Sequence, residues 1–217
     1  MFFKKNTLTK GRTLDHVAGI YDILAPLMMF NQEKKYSEKI ISLLPFKKND
    51  LILDVGCGTG NLVIFLANKL KNLNCNIWGI DAASKMIDIS LRKSKNLENT
   101  KFFTCASEKL PFENQIFDHV VSTFFFHHID FDLKIKSLQE IKRVLKKNGK
   151  LIIIDVDTPT TLFGKICAWS GYLLFMQSEI KENIQGKLVK AIELSGFSNF
   201  KKISHHLGYI SIFEMEK

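Results

Sequence analysis

The sequence lacks the segments that mark a secreted or a membrane-spanning protein. Its basic start, Met1-Phe2-Phe3-Lys4-Lys5, is not followed by an apolar run, so no secretory signal is predicted. The one long apolar stretch, 162–176, is interrupted by Lys165 and is too short to span a bilayer. Because repeats and low-complexity tracts are missing too, we expect the 217 residues to form a single globular domain.

Paired cysteines are also missing. The four cysteines are widely spaced and form no Cys-x-x-Cys motif, which argues against a disulfide framework. His205-His206 has no third potential ligand at a useful spacing, so no metal site is expected. We therefore expect free thiols in a cytoplasmic protein, and leave peripheral contact with a membrane open.

What the sequence does contain is an excess of positive charge. The formal net charge is +9, which favours anionic partners such as nucleic acid, anionic lipid or acidic metabolites. The lysines are spread along the chain as Lys-Lys doublets, however, and ordinary solvation of the surface explains many of them. Nucleic acid is therefore not the partner that we expect.

Strand-like and helix-like segments alternate along the chain. Short apolar runs predict strands at 51–55, 76–81, 101–104, 117–123 and 150–156. Helical periodicity predicts helices at 61–70, 84–93 and 133–145. The fifth strand, with Leu-Ile-Ile-Ile in its middle, is apolar enough to be buried on both faces. The alternation predicts an α/β fold with a parallel, doubly wound, Rossmann-like sheet.

Two regions flank this core. Residues 13–42 are predicted to be mostly helical, with a break near Ala25-Pro26. The apolar stretch 162–176 follows the fifth strand, and a helix at 185–195 and strands at 200–204 and 209–213 come after it. The predicted single domain thus has three parts: an N-terminal helical region (1–45), a ligand-binding core (46–157), and a C-terminal part with a cap segment, a helix and two strands (158–217).

A glycine loop, Gly56-x-Gly58-x-Gly60, follows the first predicted strand. In doubly wound sheets, ligands bind at the carboxyl ends of the strands. Glycines allow the backbone to bend sharply there and allow a ligand to approach closely. The N–H groups of the following helix suit a carboxylate as well as a phosphate. The pattern alone is also typical of a plain tight turn.

Two aspartates next to the loop indicate whether it binds a ligand and which kind of ligand it binds. Asp54 precedes the loop, where a carboxylate repels a pyrophosphate but attracts the amino group of a methionine moiety. Asp81 ends the second strand, where an acidic side chain accepts hydrogen bonds from ribose hydroxyls. The two acids favour a ligand in which adenosine is joined to an amino acid over a dinucleotide. The alternative is that both aspartates are solvated residues at strand ends and bind no ligand.

Leu-Asp-Val-Gly-Cys-Gly-Thr-Gly at 53–60 resembles the first motif of class I S-adenosylmethionine (SAM)-dependent methyltransferases. Segments 107–118 and 139–151 resemble later motifs of that family, so the resemblance covers residues 50–157 in order. Val-Ala-Gly-Ile-Tyr-Asp at 17–22 resembles the start of its ubiquinone/menaquinone C-methyltransferase-like branch (methyltransferase type 11). The implied fold is a seven-stranded, mostly parallel sheet whose last strand is antiparallel.

The resemblance implies SAM as the cofactor and S-adenosylhomocysteine as its product. The residues that it implies in cofactor binding are Tyr21, Asp54, Gly56, Cys57, Gly58, Gly60, Asp81, Ala82, Met86, Ala106, Ser107 and Thr123. The glycines and Asp54 would hold the methionine part, Asp81 the ribose, and Ala82 and Met86 the adenine faces.

The chain departs from the family pattern at one position in this set. Many relatives have an aspartate where Ala106 stands, which leaves the backbone of Ser107 or Glu108 to meet the adenine edge. Tyr21 is expected over the methionine end of the cofactor, with packing in the core as the alternative.

Two histidines after the fourth strand are candidates for catalysis. Methyl transfer is an in-line displacement that mainly requires alignment, and a base is needed only if the nucleophile must lose a proton. His127 and His128 stand beside the expected methyl position. For at least one of them, packing or fixation of the loop is the alternative role.

The apolar segment 162–176 carries the expectation about the substrate. In the resembling fold this region covers the substrate pocket, so a greasy cap favours a small hydrophobic acceptor, quinone-precursor-like or lipid-like. A helix packed on the sheet or in a dimer contact is an equally weighted alternative. The sequence leaves the methylated atom and the oligomeric state open.

Other functions are a nucleic-acid or protein methyltransferase and a non-catalytic SAM-binding protein. Thr-Phe-Phe-Phe at 123–126 stands where a base-methylating enzyme has an Asn-Pro-Pro-Tyr-like motif, and no RNA-binding domain is added. We therefore expect an enzyme that methylates a small molecule.

Overall fold

A computed structural model of the chain describes residues 9, 11, 13, 15, 18, 19, 32–197 and 199–217, apart from the side chain of Phe175. All structural statements below refer to these residues. Much of the predicted N-terminal helical region lies outside them, and so does Tyr21.

The described part of the chain alternates strands and helices. The strands are β1 (Leu51–Val55), β2 (Asn76–Asp81), β3 (Thr100–Thr104), β4 (Phe117–Thr123), β5 (Leu145–Val156), β6 (Phe200–His206) and β7 (Ile210–Glu216). The helices are α1 (Glu33–Leu43), α2 (Asn61–Lys69), α3 (Ser84–Lys93), α4 (Phe131–Val144), α5 (Leu162–Phe175), α6 (Ser178–Ile184) and α7 (Lys187–Leu194). Single 3-10 turns lie at Lys71–Leu73 and Phe126–His128.

The strands form one seven-stranded sheet in the order β3-β2-β1-β4-β5-β7-β6. Strands β1 to β5 pair in parallel, and β7 runs antiparallel to both β5 and β6. The predicted fold, a mostly parallel Rossmann-like sheet with an antiparallel last strand, is confirmed. The strand order reverses between β1 and β4, so the carboxyl ends of these two strands flank the crevice in which such sheets bind ligands.

Alternation along the buried strands creates one core on each face of the sheet. Successive residues of a strand point to opposite faces. Accordingly, Ile153 packs in the core beneath α4 and α7, whereas Ile152 and Ile154 pack in the core beneath α1 and α2. Because both faces are covered by helices, the functional groups at the carboxyl ends stand on a rigid edge.

The structure corrects several predicted boundaries in the C-terminal part. The helix predicted at 185–195 is α7, which begins at Lys187 after Gly186 with its left-handed backbone (φ +81°), and the shorter helix α6 before it was not predicted. Strand β5 begins at Leu145, and the last two strands continue to His206 and Glu216. Among the described residues, no helix has both the length and the apolar character that crossing a membrane requires.

Candidate functional site

The glycine loop is held in one shape by β2. Gly56, Gly58 and Gly60 all have left-handed backbones, with φ of +77°, +51° and +83°. The N–H groups of Gly56 and Cys57 both donate to the carbonyl oxygen of Ile80, at 2.9 Å each. A Cβ atom on Gly56 would lie 2.4 Å from the Phe125 ring, so only glycine fits there. The loop is therefore preformed, and Phe125 packs directly on it.

The Asp81 carboxylate connects the loop to the segment after β2. Its Oδ2 accepts a hydrogen bond from the N–H of Gly58 at 3.0 Å, and its Oδ1 accepts one from the N–H of Ala83 at 2.8 Å. Burial raises the pKa of Asp81, and these two hydrogen bonds oppose the rise. A carboxylate oxygen has two lone pairs, so each oxygen can still accept a hydroxyl. Asp81 thus shapes the loop and fits the hydroxyl pair of a ribose.

Asp54 is buried without a partner. It is 1% exposed, and neither carboxyl oxygen has a hydrogen-bond partner among the residues that the structure describes. Burial, with a contribution from the charge of Asp81, raises the pKa of Asp54 to about 8. An unpartnered buried carboxyl is costly, and a cationic amino group would remove that cost. The site therefore fits the ammonium group of SAM.

The predicted adenine side lies around the ends of β2 and β3. Met86 is fully buried and packs with Ala83 and with Ala18 of the N-terminal segment, while Ala82 is half-buried. The N–H of Cys105 donates to the carbonyl oxygen of Asp81 at 3.0 Å, which brings the buried Ala106 next to β2.

Ser107, the next residue, turns its side chain away from this edge. Its hydroxyl lies 2.7 Å from that of Ser137 in α4. The Ser107 hydroxyl is thus engaged with α4, and contact of an adenine edge with the backbone of Ser107 or Glu108 stays a prediction.

The Cys57 side chain packs beneath the loop, with its thiol donating weakly to the carbonyl oxygen of Gly58 at 3.8 Å. Its thiol lies under the loop, where a Cβ atom on Gly79 would approach the sulfur to 2.8 Å. Burial raises the pKa of the Cys57 thiol well above its usual value, and the nearby aspartates raise it further. This cysteine is therefore a packed, protonated thiol.

A cavity of about 240 Å³ lies beside the loop. Its walls are Gly56–Thr59 of the loop, Thr123 and Phe124 after β4, Asn61, Leu62 and Phe65 of α2, and Glu33, Lys34, Tyr36 and Ser37 of α1. The structure thus brings four predicted residues, Gly56, Cys57, Gly58 and Thr123, to one cavity. Phe124 and the wall formed by α1 were not predicted from the sequence, because nothing in the α1 pattern indicates which face meets the loop.

The two histidines have different partners. His127 Nδ1 lies 2.7 Å from Oδ1 of Asp155, a fully buried residue of β5. The same carboxylate accepts the backbone N–H groups of Phe126 and Val156, each at 2.7 Å. When Nδ1–H donates to the carboxylate, the lone pair of Nε2 is left to accept a proton. Asp155 was not predicted, although an acid within so apolar a strand is a signal.

His128 is tied to the segment after α5. Its Nδ1 lies 3.1 Å from Oε1 of the buried Gln177. The two histidine rings are 3.9 Å apart, and because Gln177 directly precedes α6, it is α6 that borders the histidine turn. The preceding Phe124 has a left-handed backbone (φ +52°), an uncommon conformation for a bulky residue that redirects the chain at the end of β4.

The described N-terminal residues reach across this edge of the sheet. Thr9 donates to Oε1 of Glu108 at 2.9 Å, and Oδ1 of Asp15 accepts the N–H of Lys85 at 2.9 Å. Tyr21, predicted over the methionine end of the cofactor, lies outside the described residues.

The fold and this edge of the sheet define a class of enzymes, the class I SAM-dependent methyltransferases, whose cofactor is SAM. The sequence model of a family described as "Methyltransferase domain" matches residues 46–197, and the chain belongs to that family.

Individual proteins agree with this assignment. The chain is 29% identical over 220 residues to the demethylmenaquinone methyltransferase of Staphylococcus saprophyticus, with 89% of this chain and 93% of that protein covered. It is 32% identical over 164 residues to the demethylmenaquinone methyltransferase of Thermotoga maritima, with 75% and 68% covered. A crystal structure of a SAM-dependent methyltransferase from Aquifex aeolicus has the same fold, with a TM-score of 0.68, 20% identity, and 94% and 99% of the two chains covered.

Proposed function

We propose that this methyltransferase transfers the methyl group of SAM to a small hydrophobic acceptor of the quinone-precursor class. The observation that carries the proposal is the cavity beside the glycine loop, because Leu62, Phe65 and Phe124 give it apolar walls next to the expected methyl position. The similarity to demethylmenaquinone methyltransferases along most of the chain supports a quinone-like ring in that cavity.

We assign the parts of the cofactor to the residues as follows. The loop, with Gly56, Gly58 and Gly60, holds the methionine end, and Asp54 pairs with its ammonium group. Asp81 accepts the ribose hydroxyls. Of the remaining members of the predicted set, Ala82, Met86, Ala106 and Ser107 surround the adenine, and Cys57 and Thr123 line the loop. Tyr21 stays a prediction for the methionine end. The support for this arrangement is the unpartnered Asp54 and the spare lone pairs of Asp81.

We assign the general base to His127. SAM, when bound, supplies an electrophilic methyl group on a sulfonium. His127 Nε2 accepts the proton of a ring hydroxyl, which leaves electron density on the ring carbon that takes the methyl group. Asp155 holds the imidazole in the required tautomer and balances the positive charge that the ring acquires. His128, bonded to Gln177, positions the turn instead of moving a proton.

A lipid-soluble acceptor has consequences for where the enzyme works. A quinone precursor with an apolar tail resides in a membrane, so we propose that the enzyme contacts a membrane peripherally when it takes up its acceptor. Helix α5 supports this proposal, because it exposes large apolar side chains and ends two residues before Gln177, the partner of His128.

The test has two stages. SAM binding is measured by calorimetry, and methyl transfer from labelled SAM is then measured to a reduced naphthoquinone without a ring methyl group, to tRNA and to an unrelated protein. We expect SAM to bind and only the naphthoquinol to be methylated. Methylation of tRNA or protein alone would overturn the acceptor class, and failure to bind SAM would overturn the whole proposal.

A further inference from the structure

Helix α5 presents a line of large apolar side chains to the outside. Leu162, Ile166, Trp169 and Leu173 follow one another at spacings of four, three and four residues, which places them on one face of a helix. Leu162, Ile166 and Leu173 are 76%, 61% and 65% exposed. We call these four residues the α5 stripe. Exposed apolar patches of this kind mark an interaction surface.

The inner face of α5 fixes the direction of the stripe. A Cβ atom on Gly164 would lie 2.2 Å from the carbonyl oxygen of Gly208, so the helix is packed tightly against the turn between β6 and β7. Ala168 is buried on the same side, and the hydroxyl of Thr161 caps the helix by accepting the N–H of Gly164 at 3.0 Å. Because this close packing prevents rolling, the stripe stays on the outside.

A second feature nearby is a cationic groove of about 440 Å³ between α1 and β6. It is lined by Lys35, Tyr36, Glu38, Lys39, Ser42, Ser204 and His206. Burial lowers the pKa of His206, and the charges of Lys35 and Lys39 lower it further, so these groups stand close together. The acid of the groove, Glu38, lies 4.0 Å from Lys34. We call this feature the α1–β6 groove.

The groove and the stripe belong to neighbouring parts of the surface. The rings of Tyr36 and His206 lie 5.8 Å apart in the groove. Tyr36 also packs in one buried cluster with Tyr209 and with Ala168 of α5. Burial, and then the nearby Cys167 of α5 and Tyr36, raise the pKa of Tyr209 to about 12, so Tyr209 lies close to both the inner face of α5 and the wall of the groove.

We propose that the α5 stripe and the α1–β6 groove together dock the enzyme on an anionic lipid bilayer. The biological purpose of this docking rests on the proposed function, whereas the observations behind it do not. The stripe enters the boundary between headgroups and acyl chains, and the groove takes a phosphate headgroup. With 14 residues, α5 is about 21 Å long and lies along the membrane surface.

Charge decides between a bilayer and a second copy of the chain as the occupant. No acidic residue occurs between 158 and 178, and Lys165 is the charged residue of α5. A second copy would bring the same lysine and the same net charge of +9 to the contact, whereas an anionic bilayer brings the opposite charge.

The experiment is co-sedimentation of the full chain with vesicles, without any acceptor. One vesicle is pure phosphatidylcholine, and the other contains phosphatidylcholine and phosphatidylglycerol in equal amounts. We expect strong preference for the second. The variant Ile166→Ser/Leu173→Ser should bind anionic vesicles at least about tenfold more weakly, because its apolar side chains no longer enter the bilayer. Lys35→Gln/Lys39→Gln should lose roughly tenfold or more.

Matched variants control for hydrophobicity and charge. Leu91→Ser/Leu194→Ser changes two leucines that are 49% and 54% exposed on other helices. Lys71→Gln/Lys95→Gln removes the same charge from segments that lead into β2 and β3, at the opposite edge of the sheet. Both control variants should bind anionic vesicles like the unchanged protein.

Several outcomes would overturn the proposal: binding to neither vesicle, equal binding to both, unchanged binding by the stripe variant, or a dimer in light scattering that the stripe variant makes monomeric. Failure of the proposed function would look different. In that case the protein would still sediment with anionic vesicles but would not methylate a naphthoquinol, whether that quinol is water-soluble or carries a lipid tail.

Discussion

At the scale of single residues, the two carboxyl groups near the loop have different electrostatic environments. Asp81 accepts two backbone hydrogen bonds, whereas Asp54 is buried with none among the described residues. Desolvation therefore acts on Asp54 almost unopposed, which is why its pKa rises to about 8. With a pKa of about 8, this carboxyl is mostly protonated at neutral pH in the absence of SAM.

Binding of SAM should consequently release a proton from Asp54. An ammonium group favours the ionised carboxylate, so below about pH 8 the proton must leave, and SAM affinity should rise with pH between 6 and 8 by at most about tenfold per unit. Calorimetry in buffers of different ionisation enthalpy measures this release. Asp54→Asn should abolish the release and weaken binding by roughly tenfold or more. Proton release that persists in Asp54→Asn would contradict the assignment.

The same shift predicts a pH dependence of folding. Asp54 has a higher pKa in the folded state than in the unfolded state, so between about pH 4 and 8 the folded state holds a proton that the unfolded state has lost. The contribution of Asp54 therefore makes the protein without SAM less stable as pH rises through this window. Thermal unfolding should show the trend in the unchanged protein and lose this contribution in Asp54→Asn.

The His127–Asp155 pair predicts a distinct kinetic signature. If His127 is the base, kcat rises with pH as the imidazole loses its proton, and His127→Gln should remove this acidic limb and lower kcat by about a hundredfold or more. Asp155→Asn should also lower kcat, because the amide no longer balances the positive charge that the ring acquires.

His128→Gln is the matched control for this signature and should keep the acidic limb. SAM affinity should be unchanged in all three variants. A limb that disappears only in His128→Gln would assign the base to the other histidine.

At the scale of elements, the loop depends on backbone conformation as much as on its side chains. Gly56→Ala should abolish SAM binding and destabilise the fold by about 1–3 kcal/mol, because φ is +77° and the new methyl group meets Phe125. Gly171→Ala in α5 is the matched control. No atom of the described residues lies within 4 Å of a Cβ atom there, so that variant should gain about 0.5–1 kcal/mol. Calorimetry and chemical unfolding measure the two effects.

The same scale shows what the sequence can predict. Strands β1, β2 and β4 have their predicted bounds, because each is a short apolar run that ends at a glycine, an acid or a polar residue. The partner of His127 was not predictable, since Asp155 comes next to it only when β4 and β5 align in the sheet.

Helix α5 marks a further limit of the sequence. Its composition indicated an apolar surface, but the buried positions are Gly164 and Ala168, with Tyr172 packed against the same core, so most of the large side chains point outward. Amino-acid composition does not specify which face of a nearly uniformly apolar helix meets the core. Packing of small residues against Gly208 decides it.

At the scale of the whole molecule, the position of the positive charges matters more than the net charge of +9. The lysines look evenly spread in the sequence, yet Lys35 and Lys39, one turn apart in α1, line one groove together with His206 of β6. Attraction of such groups to an anionic surface is screened by salt. Vesicle binding should therefore weaken as the salt concentration rises, more steeply for the unchanged protein than for Lys35→Gln/Lys39→Gln. Equal salt dependence of the two would contradict a role of the groove.

Tyr36 stands between two cavities, since it lines both the space beside the glycine loop and the α1–β6 groove. Helix α1 is thus a partition that the two compartments share. If SAM shifts α1 toward a position that binds a lipid headgroup more tightly, the headgroup must increase the affinity for SAM by the same factor. The reason is that both changes in affinity express the same coupling free energy. The coupling can be measured as two affinities, that for SAM and that for the headgroup, each with and without the other ligand. Through Tyr36, membrane binding and cofactor binding would then be parts of one equilibrium.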